Sequence, residues 1–255
     1  MISVCMAAYN GEKFIKEQIN SILNQLGTND ELIISDDGST DDTLNIIGSC
    51  RDPRIKLFHN KLEHGVIHNF ENALKHASGQ YIFLSDQDDL WHPQKINCIL
   101  RELQKGYSLV LCDATVINES GSIVHPSFYT LNHSNAGLVH NIIKNSYIGC
   151  SMAFHRNLLK LFLPFPERIA MHDMWIGLMV ELLRLPHTFI PEKLHFYRRH
   201  SHNVTGNIKN SLSVKFRLRF FTLFEAVRRI LQQRQRAYRI KSYFKSLHKD
   251  KKVAC

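Results

Sequence analysis

Several features that define a function class on their own are missing from this sequence. Its six cysteines form no C-x-x-C pair, which argues against a zinc ribbon or a redox motif. A chain of 255 residues buries a core without covalent staples, so a disulfide framework is not needed. We therefore expect most of the cysteines to be buried thiols in a reducing cytosol.

Membrane and targeting segments are also missing. No window approaches the roughly 20 consecutive apolar residues that span a bilayer. The chain enters an apolar run at Met1–Met6 without a basic leader or cleavage site, so we expect no signal peptide. With 12 glycines and 7 prolines against 44% hydrophobic residues, the composition excludes a fibrous or disordered chain. It predicts a folded intracellular protein.

The usual phosphate-binding and hydrolase motifs do not occur either. There is no G-x-x-x-x-G-K-[ST] sequence, which counts against a P-loop. No G-x-G-x-x-G follows the first apolar run, which counts against a dinucleotide oxidoreductase. A Gly-x-Ser-x-Gly elbow is missing as well, so an α/β-type serine hydrolase is not supported.

The net charge of +9 is carried by one end of the chain. Residues 209–252 hold 14 lysines and arginines against 2 acidic residues, a surplus of +12, and the rest carries −3. Because the body is mildly acidic, its charge gives no basis for nucleic-acid binding, and we expect none. The charge pattern predicts two parts, a body at 1–208 and a basic tail at 209–255.

Short apolar runs alternate with helical patterns over the first half of the body. Runs this continuous are typical of strands covered on both faces. The predicted strands are 2–6, 31–35, 55–59, 81–85 and 108–112, and the predicted helices between them include 12–26, 70–76 and 93–104. This order predicts a doubly wound α/β sheet with right-handed crossovers.

Beyond residue 112 the pattern is less regular. Residues 113–148 predict loops with a short helix, and 149–155 and 193–198 predict strands on either side of a helix at 173–185. Residues 213–247 contain no helix breaker, so a single long helix is predicted in the tail.

Polar clusters follow three of the predicted strands, at the edge where open α/β sheets bind ligands. The first two, at 7–11 and 36–41, also fit ordinary turns, the second with a helix N-cap. The third places Asp86, Asp88 and Asp89 within four residues, an arrangement that is repulsive without a cation or solvent. It favours Mg²⁺ or Mn²⁺ bound together with substrate phosphates.

Taken in order, these segments resemble the family 2 inverting glycosyltransferases, which have a GT-A fold. Residues 2–19 are similar to the family's opening, and 35–43 match its second-strand motif. Residues 85–91 match its Asp-x-Asp metal motif in the form found in bacterial rhamnosyltransferase-like, O-antigen or capsule enzymes. The resemblance covers about residues 2–206. It implies a nucleotide-sugar-binding half at 1–112 and an acceptor-binding half at 113–208.

The resemblance also implies individual roles. The donor nucleotide would lie against Ala7, Ala8, Tyr9, Asn10, Glu12, Asp37, His68, Asn69, Asp86, Gln87 and Arg198. Tyr9 would pack on the nucleobase, and Asp37 would accept a hydrogen bond from the pyrimidine N3–H. Asp86 would face the ribose or sugar, and Asp88 would bind the metal. His68 departs from the basic residue found in many relatives, and Ala8 from their threonine.

Two later motifs fit the same scheme. His172-Asp173-Met174-Trp175 resembles the position of the family's catalytic base, which makes Asp173 the candidate; without the family it is a helix-start carboxylate stabilised by the dipole. Residues 197–206 resemble the closing motif Tyr-Arg-x-His-x-x-Asn-x-x-Gly. This makes His200 the candidate metal ligand, with His202 and a surface role as alternatives, and Arg198 a candidate diphosphate contact.

The tail combines an apolar stripe with cations on the remaining surface. Its stripe consists of Phe216, Phe220, Leu223, Phe224, Val227, Ile230 and Leu231. Anionic lipid, the body or a second subunit, and nucleic acid are all compatible with this composition. We favour an anionic membrane contacted by residues 213–248, which would place the protein peripherally on the cytoplasmic face. Self-association is left open.

These features together predict a metal-dependent, inverting glycosyltransferase. We expect a dTDP-rhamnose or UDP-hexose donor, which share the same N3–H edge, and an acceptor in a lipid-linked surface polysaccharide or O-antigen. The alternative is a non-catalytic nucleotide-sugar or polyanion binding module dominated by the tail, which would need no acceptor base at Asp173.

Overall fold

The computed structural model describes residues 1–201, 203 and 211–253. The strands of this part are β1 (Ile2–Ala8), β2 (Glu31–Asp36), β3 (Ile55–His59), β4 (Tyr81–Asp86), β5 (Leu90–Trp91), β6 (Leu109–Asn118), β7 (Ile123–His125), β8 (Met152–His155) and β9 (His187–Arg199). Its helices are α1 (Ile15–Leu23), α2 (Thr43–Ser49), α3 (Val66–His76), α4 (Lys95–Gln104), α5 (Phe128–Asn132), α6 (Leu138–Ile143), α7 (Leu159–Phe162), α8 (His172–Leu183), α9 (Leu212–Gln232) and α10 (Arg234–Val253).

One mixed sheet forms the centre of the molecule. Its strands run in the order β3-β2-β1-β4-β8-β6-β9-β5, and β7 pairs with β6. Strands β1 to β4 are parallel, as predicted, whereas β8 is antiparallel to both of its neighbours. The register aligns Ala7 with Asp86 and Ala8 with Asp36, so the polar clusters after β1, β2 and β4 meet at one edge.

The sixth strand is longer than the sequence pattern predicted. It was expected to end at residue 112 but continues to Asn118, where it still pairs in parallel with β9. The polar residue Asp113 ends the apolar run in the sequence and so hides this continuation. In the structure its side chain is only 3% exposed. Its oxygens accept hydrogen bonds from Ser127 Oγ (2.6 Å) and Tyr129 N (2.8 Å). The predicted loop at 113–148 is therefore part strand and part short helices.

Helix α8 is almost entirely buried. Ten of its twelve residues are buried, and a helix that is apolar on all sides needs packing partners all round. Its neighbours include α6, α7 and α9, and its buried residues share one hydrophobic cluster with residues of the sheet. On α9, Thr222 and Ala226 are fully buried. Thr222 Oγ1 also accepts a hydrogen bond from Ala170 N, just before α8 (2.8 Å).

The tail is two helices packed on the body. A break at Gln233 divides the predicted single helix. Phe244 of α10 is fully buried against the ring of His155 (5.2 Å between centroids). The guanidinium of Arg229 in α9 donates to three backbone carbonyls of residues 161–164. Part of the basic charge is thus used to hold the tail in place.

This packing divides the predicted apolar stripe. Leu223 and Ile230 are partly buried against the body, whereas Phe216, Phe220, Phe224, Val227 and Leu231 are 41–69% exposed. The tail therefore has an inner face that completes the core and an outer apolar face on α9. Within the described ranges, no helix is long and apolar enough to cross a membrane.

Candidate active site

The loops after β1 and β2 are tied to each other. Asn10 has a positive φ of 46°, which asparagine tolerates better than most residues. Its Oδ1 accepts from Thr40 N (2.8 Å), and its backbone N donates to Ser39 Oγ (2.9 Å). Glu12 Oε2 accepts from Asp42 N (2.9 Å). Asn10 and Glu12 thus join the loops after β1 and β2.

Tyr9 presents its ring at this edge of the sheet. The side chain is 44% exposed and meets the ring of His64 edge-on, with centroids 4.8 Å apart. Gln87 fixes the backbone of Tyr9 from the neighbouring strand: its Oε1 accepts from Tyr9 N (2.9 Å), and its Nε2 donates to Tyr9 O (2.8 Å). An exposed aromatic ring on a fixed backbone suits stacking on a nucleobase.

Asp37 lies at the end of β2 with its carboxylate already engaged. Oδ1 accepts from Asn60 Nδ2 (2.6 Å), and Oδ2 accepts from Gly65 N (2.8 Å) and lies 3.0 Å from His64 Nδ1. A carboxylate offers about four lone-pair sites, so this network orients Asp37 and leaves capacity for one further donor.

His68 and Asn69, at the start of α3, differ in burial. Asn69 is 2% exposed, and its Nδ2 donates to Ala8 O (3.0 Å). Its amide therefore braces the end of β1 within the protein. His68 is half-buried in the first turn of α3. Ala8 is also buried, whereas Ala7 is half-buried beside Asp86 in the sheet.

Asp86 occupies the centre of the site. Gln18, fully buried in α1, supports it by donating to Ser85 Oγ (2.8 Å) and to Asp86 O (3.1 Å). Burial, and then the negative charges of Asp88 and Asp173, raise the pKa of Asp86 to about 7. The structure thus brings the carboxylates from the end of β4 and the start of α8 close enough to repel one another.

Asp88 meets the closing motif. Its Oδ2 lies 2.7 Å from His200 Nε2 and accepts from Asn203 Nδ2 (3.0 Å). A carboxylate and an imidazole converging from separate loops form a donor set that suits Mn²⁺ or Mg²⁺. His202, the alternative ligand, lies outside the described residues.

Asp173 lies in the first turn of α8, where two hydrogen bonds orient its carboxylate. Its side chain is buried, and burial raises its pKa to about 7. Oδ1 opposes this shift by accepting hydrogen bonds from Met174 N (2.5 Å) and from Asn145 Nδ2 (2.9 Å). A carboxyl group with a pKa near neutrality is suited to take a proton from an alcohol.

Arg198 was expected to contact the diphosphate, but its side chain is directed into the protein. It is 4% exposed and donates to Asp88 O (2.8 Å), Glu119 O (3.0 Å) and Glu17 Oε2 (3.1 Å). Its guanidinium lies over the ring of Phe14, 4.7 Å from the centroid.

Behind the Asp88 loop lies a second, enclosed cluster of polar residues. Asp89, Cys150 and His195 are buried, and their potential metal-ligand atoms lie within 4.8 Å of one another. The ammonium of Lys95 is buried at the same place and donates to Cys150 O (2.6 Å). Burial lowers the pKa of the Lys95 ammonium, while the nearby carboxylates of Asp89 and Asp86 act against this shift. Among the described residues, Asp89 Oδ2 has no hydrogen-bond partner.

Several residues of the site escaped sequence analysis. Gln18 and Asn145 each support a candidate carboxylate, yet Gln18 lies in an ordinary amphipathic helix and Asn145 in an irregular segment. Neither position carries a pattern that points to the site. Asn203 had a signal, since the closing motif includes an asparagine there, but its contact with Asp88 depends on the fold.

Comparisons with known proteins agree on one family. A family model described as glycosyl transferase family 2 matches residues 3–162. The chain is 32% identical over 185 residues, 70% of each protein, to the Escherichia coli UDP-Glc:alpha-D-GlcNAc-diphosphoundecaprenol beta-1,3-glucosyltransferase WfgD. It is 26% identical to WfaP of Escherichia coli, described by the same activity, over 88% of this chain and 91% of that protein.

Solved structures show a likeness of fold. Staphylococcus aureus TarS 1-349 in complex with UDP-GlcNAc superposes with a TM-score of 0.66 at 20% identity, covering 91% of this chain and 72% of that one. Mycobacterium tuberculosis glucosyl-3-phosphoglycerate synthase with Mn²⁺, UDP and glucosyl-3-phosphoglycerate gives 0.60 at 20% identity, covering 89% and 79%. At these identities the likeness establishes the fold alone.

Proposed function

Because the chain belongs to glycosyl transferase family 2 and is a glycosyltransferase of GT-A fold that uses nucleotide-sugar donors, we propose the following reaction. The enzyme is inverting and depends on a divalent metal. It transfers a sugar to a hydroxyl of a lipid-linked surface polysaccharide intermediate. The observation that carries this proposal is the pairing of Asp88, two residues after the end of β4, with His200 and Asn203 of the closing motif.

The acceptor half of the reaction rests on Asp173. Its carboxylate removes the proton from the acceptor hydroxyl as the oxygen attacks the anomeric carbon. The bond from that carbon to the diphosphate oxygen breaks in line, which inverts the configuration. Asn145 holds Oδ1 of Asp173, so the base keeps a fixed orientation toward the acceptor.

The donor half rests on the ends of β1, β2 and β4. We propose that Tyr9 stacks on a pyrimidine base and that Asp37 accepts its N3–H. Asp86 faces the ribose or sugar, and Asp88 and His200 hold Mg²⁺ or Mn²⁺. When bound, the metal supplies positive charge that neutralises the leaving diphosphate. Support for a bound metal comes from the carboxylate–imidazole pair at 2.7 Å.

The relatives favour one donor and acceptor class. WfgD and WfaP are described as transferring from UDP-Glc to a sugar on diphosphoundecaprenol with a beta linkage. We therefore favour a UDP-hexose over dTDP-rhamnose, with a polyprenyl-diphosphate-linked acceptor. A beta product from an alpha-linked donor is the outcome of inversion.

Such an acceptor lies in a membrane, and α9 offers a surface for it. Its outer face consists of Phe216, Phe220, Phe224, Val227 and Leu231, all exposed. Exposed cations lie on the same helix at Arg217 and on α10 at Arg234, Arg239, Lys245 and Lys249. Apolar side chains beside cations suit anionic lipid, whereas a second copy would bring like charges together. We propose peripheral binding at the cytoplasmic face.

A donor screen tests the reaction. The full chain is incubated with Mn²⁺ or Mg²⁺ and a panel of nucleotide sugars, and nucleoside diphosphate release is measured with and without a polyprenyl-linked acceptor. We expect acceptor-dependent release from a UDP-hexose and its loss in Asp88→Asn and Asp173→Asn. Equal release by these variants and the parent would show that the proposed site is wrong.

Vesicle flotation tests the membrane surface. Because the inner face of the tail completes the core, surface substitutions are preferable to truncation. A Phe216→Ser, Phe220→Ser, Phe224→Ser variant should lose binding to anionic vesicles. Ile123→Ser with Val124→Ser, which removes exposed apolar residues on β7, is the control. The proposal is contradicted if the triple variant floats as well as the parent. It is also contradicted if the parent is a dimer that does not float and the triple variant is a monomer.

A further inference from the structure

The segment that follows Asp86 is held from one side by the end of β9. Residues 90 and 91 form β5, which pairs with residues 196 and 195 of β9. Asp89 is 1% exposed, and its Oδ1 accepts from Arg198 N (2.9 Å). Asp88, between this anchor and the open edge of the sheet, has its carbonyl bound by Arg198 Nε (2.8 Å).

Arg198 joins three separate parts of the chain. Nε binds the carbonyl of Asp88, Nη1 binds the carbonyl of Glu119 after β6, and Nη2 binds the carboxylate of Glu17 in α1. The guanidinium also stacks over Phe14. A planar fork with five N–H donors makes such divergent contacts, which the compact ammonium of lysine does not reproduce.

We propose that Arg198 is a positioning residue for the metal ligand Asp88 and is not a ligand of the diphosphate. This inference rests on the proposed function, because it assumes that Asp88 binds the metal. Arg198 holds the backbone carbonyl of Asp88, while His200 and Asn203 contact the carboxylate of the same residue. The carboxylate is thereby fixed before a metal arrives, and preorganised ligands bind metals more tightly.

The two roles predict different binding changes. A diphosphate ligand contributes to nucleotide binding whether or not a metal is present. A positioning residue contributes only through the metal, so metal-free nucleotide binding is unchanged when it is altered. Substitutions of groups that orient a metal ligand cost roughly ten- to a hundredfold in metal affinity.

The experiment measures Mn²⁺ binding by electron paramagnetic resonance and UDP binding in EDTA by calorimetry, on the full chain. Arg198→Lys should weaken Mn²⁺ binding roughly ten- to a hundredfold and leave the metal-free UDP affinity within about twofold. Arg199→Lys, a change of the exposed neighbouring arginine, is the matched control and should alter neither. Both measurements are made well below the unfolding temperature of each variant.

A second variant keeps the inference testable if Arg198→Lys does not fold. Glu17 is 61% exposed at its side chain, so Glu17→Ala removes one anchor of the guanidinium without opening the core. We expect Mn²⁺ binding to weaken by about two- to fivefold, since an exposed ion pair is worth at most about 1 kcal/mol.

Unchanged Mn²⁺ binding in every variant that folds overturns the inference. Weakened metal-free UDP binding in Arg198→Lys overturns it as well and restores the diphosphate role. If the parent chain binds neither Mn²⁺ nor UDP, the proposed function fails instead, so the two failures are distinguishable.

Discussion

Replacing Asp173 by asparagine should slow transfer by orders of magnitude and, at neutral pH, stabilise the fold. Asparagine keeps an oxygen that accepts from Met174 N and Asn145 Nδ2, the partners of Oδ1 in the parent. It removes the ability to accept the acceptor's proton. Because a positioned general base contributes about 10²- to 10⁴-fold, we expect kcat to fall by that range while the KM for the donor changes little.

The stability change follows from the pKa of Asp173. Burial raises this pKa from 3.8 to about 7, so between these values the folded state binds a proton that the unfolded state releases. Stability therefore falls as pH rises through this window. At about 1.4 kcal/mol for each pH unit, ionised Asp173 costs the fold about 4 kcal/mol above pH 7 and nothing below pH 4.

Urea unfolding at pH 5 and pH 8 measures this difference. The gain of Asp173→Asn over the parent should be about 1.5 kcal/mol at pH 5 and about 4 kcal/mol at pH 8. Asp250→Asn, which changes an exposed carboxylate in α10, is the control. It should show neither the gain in stability nor the loss of transfer. The reasoning is refuted if Asp173→Asn retains transfer, or if its gain in stability is the same at both pH values.

Three further changes probe the surroundings of the site. Asn145→Leu removes a hydrogen bond that favours ionised Asp173, so the acidic limb of the kcat/KM pH profile should move to higher pH; an unmoved limb contradicts this. Phe244→Ala should cost about 3–5 kcal/mol in urea unfolding because Phe244 is fully buried, whereas a detached tail predicts no loss. Gly177→Ala should lower the thermal unfolding temperature, since its Cβ would lie 2.4 Å from the Tyr147 ring; unchanged unfolding would refute this contact.

The polar residues at the ends of β1, β2 and β4 were accessible to sequence analysis because their determinants are local. Each polar cluster directly follows an apolar strand, and parallel strands bring their carboxyl ends to one edge. The ends of β1, β2 and β4 were therefore predicted to lie at one edge, as the register of the strands shows. Family 2 membership and the GT-A fold, both implied by the same motifs, are confirmed.

The supporting residues were not accessible, because their partners lie far away in the chain. Asn145 and Asp173 are separated by 28 positions, and Glu17 and Arg198 by 181. The charge of Arg198 suggested a phosphate contact, but its donors are directed to two carbonyls and the Glu17 carboxylate, which only the folded chain brings near.

The packing of the tail had a signal in the sequence of α8, which the prediction did not use. Helix α8 reads HDMWIGLMVELL, which is apolar on almost every side, so the sheet alone does not cover it. A second layer was therefore required, and the inner face of α9 supplies it through Thr222 and Ala226. The charge step near residue 208 marks a change of composition within one packed core.

The anomeric configuration of the product tests the central claim most directly. The acceptor is glycosylated with the nucleotide sugar that the screen identifies, and the new linkage is assigned by proton NMR. Asp173 acting as base on the side opposite the diphosphate predicts a product whose configuration is the reverse of the donor's, beta from an alpha-linked sugar. A product that retains the donor's configuration would contradict the account.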